Sequence, residues 1–165
     1  MKSIDGINNL NKSDFLSIFG NVFEKTVWIA EKVFELKPFK DLNDFSSKMF
    51  DLYENAQKKN ILTILNSHPE LAVAKKLTSD SKSEQVGAKL NECSVEEFNE
   101  FKKLNSEYKN KFGFPFIIAV KGKNKNEILN NFRQRILNNV ESEFDEAKNQ
   151  VKKIATFRFN EIMNQ

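Results

Sequence analysis

An all-α fold is what this sequence predicts, and three observations predict it. Apolar residues recur three and four positions apart rather than in alternation, the spacing that lines one face of a helix. The five Gly and three Pro fall almost wholly where such stretches end, as punctuators should. The 165 residues are 39% hydrophobic with sixteen Phe, and no repeat or linker divides them, which suits one core of ordinary size. One domain over residues 1–165, a helical bundle, is therefore expected.

Taken in order, Asn11 or Ser13 caps a first helix carrying Phe15, Leu16, Ile18 and Phe19, closed by Gly20. A second runs from Val22 to Leu36 and stops at Lys37-Pro38. Asp41 caps a third, with Leu42, Phe45, Met49, Leu52, Tyr53 and Ala56 facing inward. One or two apolar turns cover Asn60 to Leu65, and Pro69, a residue favoured in first turns, opens a helix to about Leu77. A short helix follows from Glu84 to about Leu90. Ser94 and Glu97 then form a capping-box pattern for a long helix lined by Phe98, Phe101, Leu104, Tyr108 and Phe112, with Gly113 as its C-cap. The stretch 114–120 resists helix, because Pro115 pushes Phe114 extended and β-branched residues continue it. It reads as an extended segment through the core. Helices over about 127–138 and 143–162 finish the chain.

Composition excludes several classes of function. The 26 Lys and Arg against 23 Asp and Glu leave a net charge of +3, and Arg occurs only at 133, 135 and 158, so the basic stripe of a nucleic-acid binder is missing. One Cys and one His supply neither a disulfide nor a zinc site. The longest apolar run, Phe112 to Val120, is far short of the roughly 20 residues a membrane span needs. The N-terminus has no apolar signal core and the C-terminus no address, so a cytoplasmic protein is expected. No glycine-rich phosphate loop, GxGxxG, HExxH or GxSxG is present, and an enzyme here is expected to need no cofactor and no metal.

The lone histidine, His68, directly precedes Pro69. If Pro69 opens a helix, the imidazole sits at the positive end of a dipole, where a neutral ring and a neighbouring anion are favoured. That makes it a candidate general base, the alternative being a ring that merely caps the helix. Arg158 falls in the series Val151, Ile154, Ala155, Arg158, Ile162, on the apolar stripe, where a guanidinium needs either a core carboxylate or the carboxylate of a ligand. Ser81, Ser83, Glu84 and Gln85 gather polar groups that serve equally as ordinary caps. Arg133 and Arg135 are expected on a solvated face. Cys93, beside a helix start, is expected to be inert, with at most a mildly acidified thiol.

With those residues in view, the sequence resembles the OHCU decarboxylases, which act on 2-oxo-4-hydroxy-4-carboxy-5-ureidoimidazoline (OHCU) in urate breakdown. The resemblance rests on His68-Pro69-Glu70-Leu71-Ala72, on Ser81-Lys82-Ser83-Glu84-Gln85-Val86-Gly87-Ala88, on Leu104-Asn105 with Tyr108, on Lys111-Phe112-Gly113-Phe114-Pro115-Phe116-Ile117, and on Gln150, Ile154, Ala155 and Arg158. It spans about residues 14–162. It implies an all-α bundle, a homodimer, His68 as the catalytic residue, and substrate binding by Pro69, by Ser81, Lys82, Ser83, Glu84 and Gln85, by Phe116, Ile117, Ile118, Ala119 and Val120, and by Arg158. Val73-Ala74 and Lys89 depart from the family's pattern. The substrate's own conjugated ring can hold the electrons that CO₂ leaves behind, which accounts for the expected lack of a cofactor. A non-catalytic helical interaction module is the alternative the sequence leaves open.

Overall fold

Short polar side chains fix most of the helix starts, by accepting the backbone N–H groups that a first turn leaves unpaired. The computed structural model describes residues 2–73 and 78–165. Ser3 starts α1 (Ile4–Asn8), Asn11 starts α2 (Lys12–Phe19) and Asp41 starts α4 (Leu42–Glu54). Between the last two lies α3 (Val27–Phe34), and α5 (Lys58–Ser67) follows. Thr78 starts α6 (Ser79–Gly87), and a 3₁₀ turn at Leu90–Glu92 leads to Ser94, the cap of α7 (Val95–Phe112). Asn124 and Glu127 close a reciprocal capping box on α8 (Lys125–Arg135), and α9 (Val140–Asn164) ends the chain. Gly113, at φ 79°, terminates α7 in the left-handed geometry that glycine adopts without penalty. Among the described residues there is no strand, and 114–120 is non-helical as expected.

Several expectations need correction. The helix expected from Val22 begins only at Val27: residues 21–25 form turns, with Lys25 at φ 48°, although Val22 and Phe23 are still buried. α1 was not foreseen, being five residues long and containing Gly6, too short for periodicity to reveal. Because Thr78 is the cap, α6 starts at Ser79 instead of Glu84 and has ended by Lys89, at φ 58°. Leu42 and Phe98, placed inward by spacing, are exposed. Pro69 opens no helix: Leu71 and Ala72 form a turn, and Pro69, Glu70 and Val73 are irregular. The remainder of that expected helix, 74–77, lies outside the described residues.

The fold divides into two compact units, one comprising the chain up to Ser67 with Lys152–Gln165, the other His68–Val151. Phenylalanines make both cores. In the first, Phe15 packs against Phe19, Phe34 and Phe45, and Phe45 against Phe159 at 5.2 Å. In the second, Phe116 stacks on Phe132 at 3.9 Å and Tyr108 meets Phe112, Phe114, Phe116 and Phe132. Each fully buried ring contributes about 1.5–3 kcal/mol from its area alone. Among the described residues no helix is long and apolar enough to cross a membrane.

Candidate active site

His68 is the first residue after α5, and its side chain is buried. The helix end beside it in sequence is therefore a carbonyl end rather than the amide end expected from Pro69, and the dipole end expected to favour a neutral ring does not lie there. A hydrogen-bonded turn takes the place of that helix. Gln85 of α6 accepts the Ala72 N–H at 3.1 Å through Oε1 and donates Nε2 to the Glu70 carbonyl at 3.3 Å. Asn105 of α7 donates Nδ2 to the Leu71 carbonyl at 3.0 Å. Three consecutive residues after His68-Pro69 are thus held by two buried amides, and Ala72 is kept at φ 52°, a left-handed conformation uncommon outside glycine. A cleft of about 260 Å³ lies between this turn (Glu70, Val73) and α7 (Lys102, Asn105, Lys109).

Helical spacing splits the run Ser81 to Gln85. Ser81 and Gln85, four apart, share the buried face, Glu84 is half-buried, and Lys82 and Ser83 face solvent. Both ends of the Gln85 amide have protein partners, where the family resemblance implied a contact with substrate.

Phe116, Ile117, Ile118, Ala119 and Val120 are all buried, and side chains from two helices hold their backbone. Arg135 of α8 donates to the Ile117 carbonyl at 2.6 Å, and the Ala119 N–H donates to Gln150 of α9 at 2.9 Å. Gln150 in turn donates to Glu146 at 2.7 Å. Arg135 also pairs with Glu143, Nε to Oε1 at 2.7 Å, and lies 4.4 Å from the Phe116 ring centre. Tyr108 donates its hydroxyl to the same Glu143 oxygen at 2.5 Å, and Asn138 donates to the other at 3.0 Å. Burial first, and then the hydrogen bond to Glu143, push the Tyr108 phenol well above its ordinary range. Arg135 was expected on a solvated face and is instead buried. The signal was present in its spacing, since Ile128, Phe132 and Arg135 continue one apolar stripe. Arg133 is exposed as expected, bound to Glu100 by two hydrogen bonds of 2.6 and 2.7 Å.

Arg158 does point inward, in the first unit, and the core carboxylate it requires is Glu24 at 2.8 Å, with a further bond to the Asn21 carbonyl at 3.0 Å. Glu24 is itself fully buried. Cys93 donates its thiol to the Leu90 carbonyl at 3.2 Å. Burial, and then the Glu97 charge, raise its pKa, which reverses the expected mild acidification. Among the described residues no group of three or more His, Cys, Asp and Glu is placed to hold a metal ion.

Comparisons with known proteins find likenesses both in fold and in sequence. Among solved structures the chain is similar to (S)-allantoin synthase, with a TM-score of 0.77 at 23% identity over 98% of this chain and 54% of that one. It is likewise similar to OHCU decarboxylase crystallised in the presence of (S)-allantoin, with a TM-score of 0.73 at 21% identity over 94% of this chain and 100% of that one. At such identity these likenesses show a shared fold. In sequence it is 38% identical over its full length to the uric acid degradation bifunctional protein of Bacillus sp. (strain TB-90) and 35% to that of Bacillus subtilis (strain 168). The chain spans about a third of the length of these two bifunctional relatives, 33% of each. With the 2-oxo-4-hydroxy-4-carboxy-5-ureidoimidazoline decarboxylase of Haloferax volcanii it shares 31% identity over 96% of this chain and 95% of that protein. The profile of the OHCU decarboxylase family covers residues 8–160, both units and every motif from His68-Pro69 to Arg158, and the chain belongs to that family.

Proposed function

We propose that this protein decarboxylates OHCU to (S)-allantoin in urate breakdown, without a cofactor, with His68 as its general acid–base. The observation that carries the reading is the near-complete overlap with a decarboxylase, 31% identical over 96% of this chain and 95% of the Haloferax protein. Supporting it, the chain's single histidine is buried at the start of a turn held by side chains from two helices. In the reaction, the bond from the ring carbon to its carboxylate breaks and CO₂ leaves. The electron pair passes into the conjugated imidazoline. His68 takes the proton of the hydroxyl on that carbon as it becomes a carbonyl. Protonation of one face of the neighbouring ring carbon, by the same imidazolium, gives (S)-allantoin. One further proton comes from solvent and replaces the charge lost with the carboxylate. Proton handling of this kind is worth about 10²–10⁴ in rate.

In the same reading, Pro69 and the buried and half-buried residues of α6, Ser81 and Glu84, form one wall of the substrate site. The backbone of Phe116 to Val120 forms another, with Ile118 at its centre, since the Ile117 carbonyl, the Ala119 N–H and the Val120 carbonyl are already bonded to Arg135, Gln150 and the Lys123 N–H. Lys82 and Ser83 face solvent and the Lys82 N–H is taken by the Thr78 carbonyl, so in this reading they border the site through their side chains. Arg158 has Glu24 as a partner, so Arg158→Lys separates a role on the substrate from one on Glu24 alone. Residues 1–165 act as one OHCU decarboxylase-like domain, in a cytoplasmic homodimer.

The test follows freshly generated OHCU by circular dichroism. Wild-type protein is expected to speed the appearance of one allantoin enantiomer, and His68→Asn to lose about 10²-fold or more of that rate with an unchanged far-ultraviolet spectrum. A fully active His68→Asn protein would remove the proposed base.

A further inference from the structure

The turn that follows His68-Pro69 is held in an unfavourable conformation by groups that the proposed chemistry does not use. Ala72 sits at φ 52°, which costs a non-glycine residue of order 1 kcal/mol and persists only where surrounding structure imposes it. The imposing groups are two. Gln85, from α6, spans the turn by taking the Ala72 N–H and giving to the Glu70 carbonyl; Asn105, from α7, gives to the Leu71 carbonyl between them. Each amide is buried, so its bonds do not exchange readily with water. The Asn105 Oδ1 atom has no hydrogen-bond partner among the described residues. A buried acceptor left unmade is a stability cost, which the Asn105 amide bears while its Nδ2 holds the Leu71 carbonyl.

From this geometry we propose that Gln85 and Asn105 are positioning residues, a two-helix clamp that sets the backbone after Pro69 and thereby the aim of the His68 imidazole. The proposal rests on the function proposed above and changes the part that the resemblance implies for Gln85, which acts through the turn instead of binding the substrate directly. Proline transmits the clamp efficiently. Its fixed φ and its restriction of the preceding residue leave few soft torsions between the held residues, Glu70 to Ala72, and His68. An error of about 1 Å in the placement of a catalytic group can cost roughly 10²-fold in rate.

The experiment compares Gln85→Met, Gln85→Glu, Asn105→Leu and His68→Asn by steady-state kinetics on fresh OHCU and by proton NMR. His68 is the only histidine, so its ring Cε1 proton is read without an assignment problem. The expectation for Gln85→Met and Asn105→Leu is a kcat reduced by roughly 10²-fold with KM within about threefold of wild type, and a displaced or broadened His68 resonance. Gln85→Glu keeps the acceptor for the Ala72 N–H and should recover part of the rate, and it is close enough in shape to stay folded if Gln85→Met does not. In a His68→Asn background the clamp variants should cost nothing further, because groups that act as a unit are not additive. A KM raised at unchanged kcat in Gln85→Met would mean that Gln85 touches the substrate, and an unmoved His68 resonance in folded variants would mean that the turn does not aim the ring; either overturns the proposal. The resonance needs no substrate, so the clamp can stand or fall independently of the decarboxylase reading, which His68→Asn tests.

Discussion

At the scale of single residues, Arg135 shows how one buried cation can fix two separate stretches of chain. Its guanidinium neutralises Glu143, which is fully buried, and at the same time holds the Ile117 carbonyl of the extended segment. Taking away one partner of a buried ion pair leaves the other charge without compensation, at about 3–5 kcal/mol. Arg135→Met should therefore lower stability by about that amount in urea unfolding. The double variant Arg135→Met with Glu143→Met should be more stable than the single one, because no buried charge is then stranded. Arg133, two positions earlier and exposed, is bound as closely to Glu100, yet its removal should change stability by less than about 1 kcal/mol, since solvent screens a surface pair. Burial decides the difference. Both arginines read alike in a list of charges, and only the apolar stripe leading to Arg135 distinguishes them in sequence.

At the scale of elements, helix ends were legible wherever a short polar side chain acts on its own backbone. Asn11, Asp41 and Ser94 cap where their sequence context says they should, because a cap is settled within one turn of chain. Gly113 likewise ends α7 at φ 79°, with open space where a Cβ would sit. Gly113→Ala should thus meet no clash and cost only the left-handed backbone, about 1–2 kcal/mol, measurable as a lowered melting temperature. Pro69 was legible only in part. Its preference for first turns permits a helix and does not create one, and here bonds from Gln85 and Asn105, 13 and 34 residues from their partners, hold a turn in its place. No local signal announces contacts at that distance.

At the scale of the whole molecule, each unit buries one of the chain's two tyrosines, Tyr53 in the first and Tyr108 in the second. Burial raises both phenols well above their ordinary range, with Glu143 adding to the effect at Tyr108. A phenol whose pKa is raised by folding holds its proton more tightly folded than unfolded. The stability it contributes is intact below about pH 10 and is lost as pH rises beyond that, where the unfolded chain ionises. Phenolate absorbance should therefore appear together with the loss of helical circular dichroism, and not before it. Titration of either tyrosine in a fully helical protein would contradict this burial.

The sequence by itself determined the helical class, the extended segment, most of the caps and the motif set that places the chain in its family, because periodicity, capping and short motifs are local properties of the chain. Only the tertiary structure decided that His68 follows a helix instead of preceding one, that Gln85 faces the backbone of its own fold, that Arg135 is buried and that Glu24 is the anion beside Arg158. Each of those outcomes depends on which distant group arrives to satisfy a buried donor or acceptor, and that is fixed by packing, after the local elements have formed.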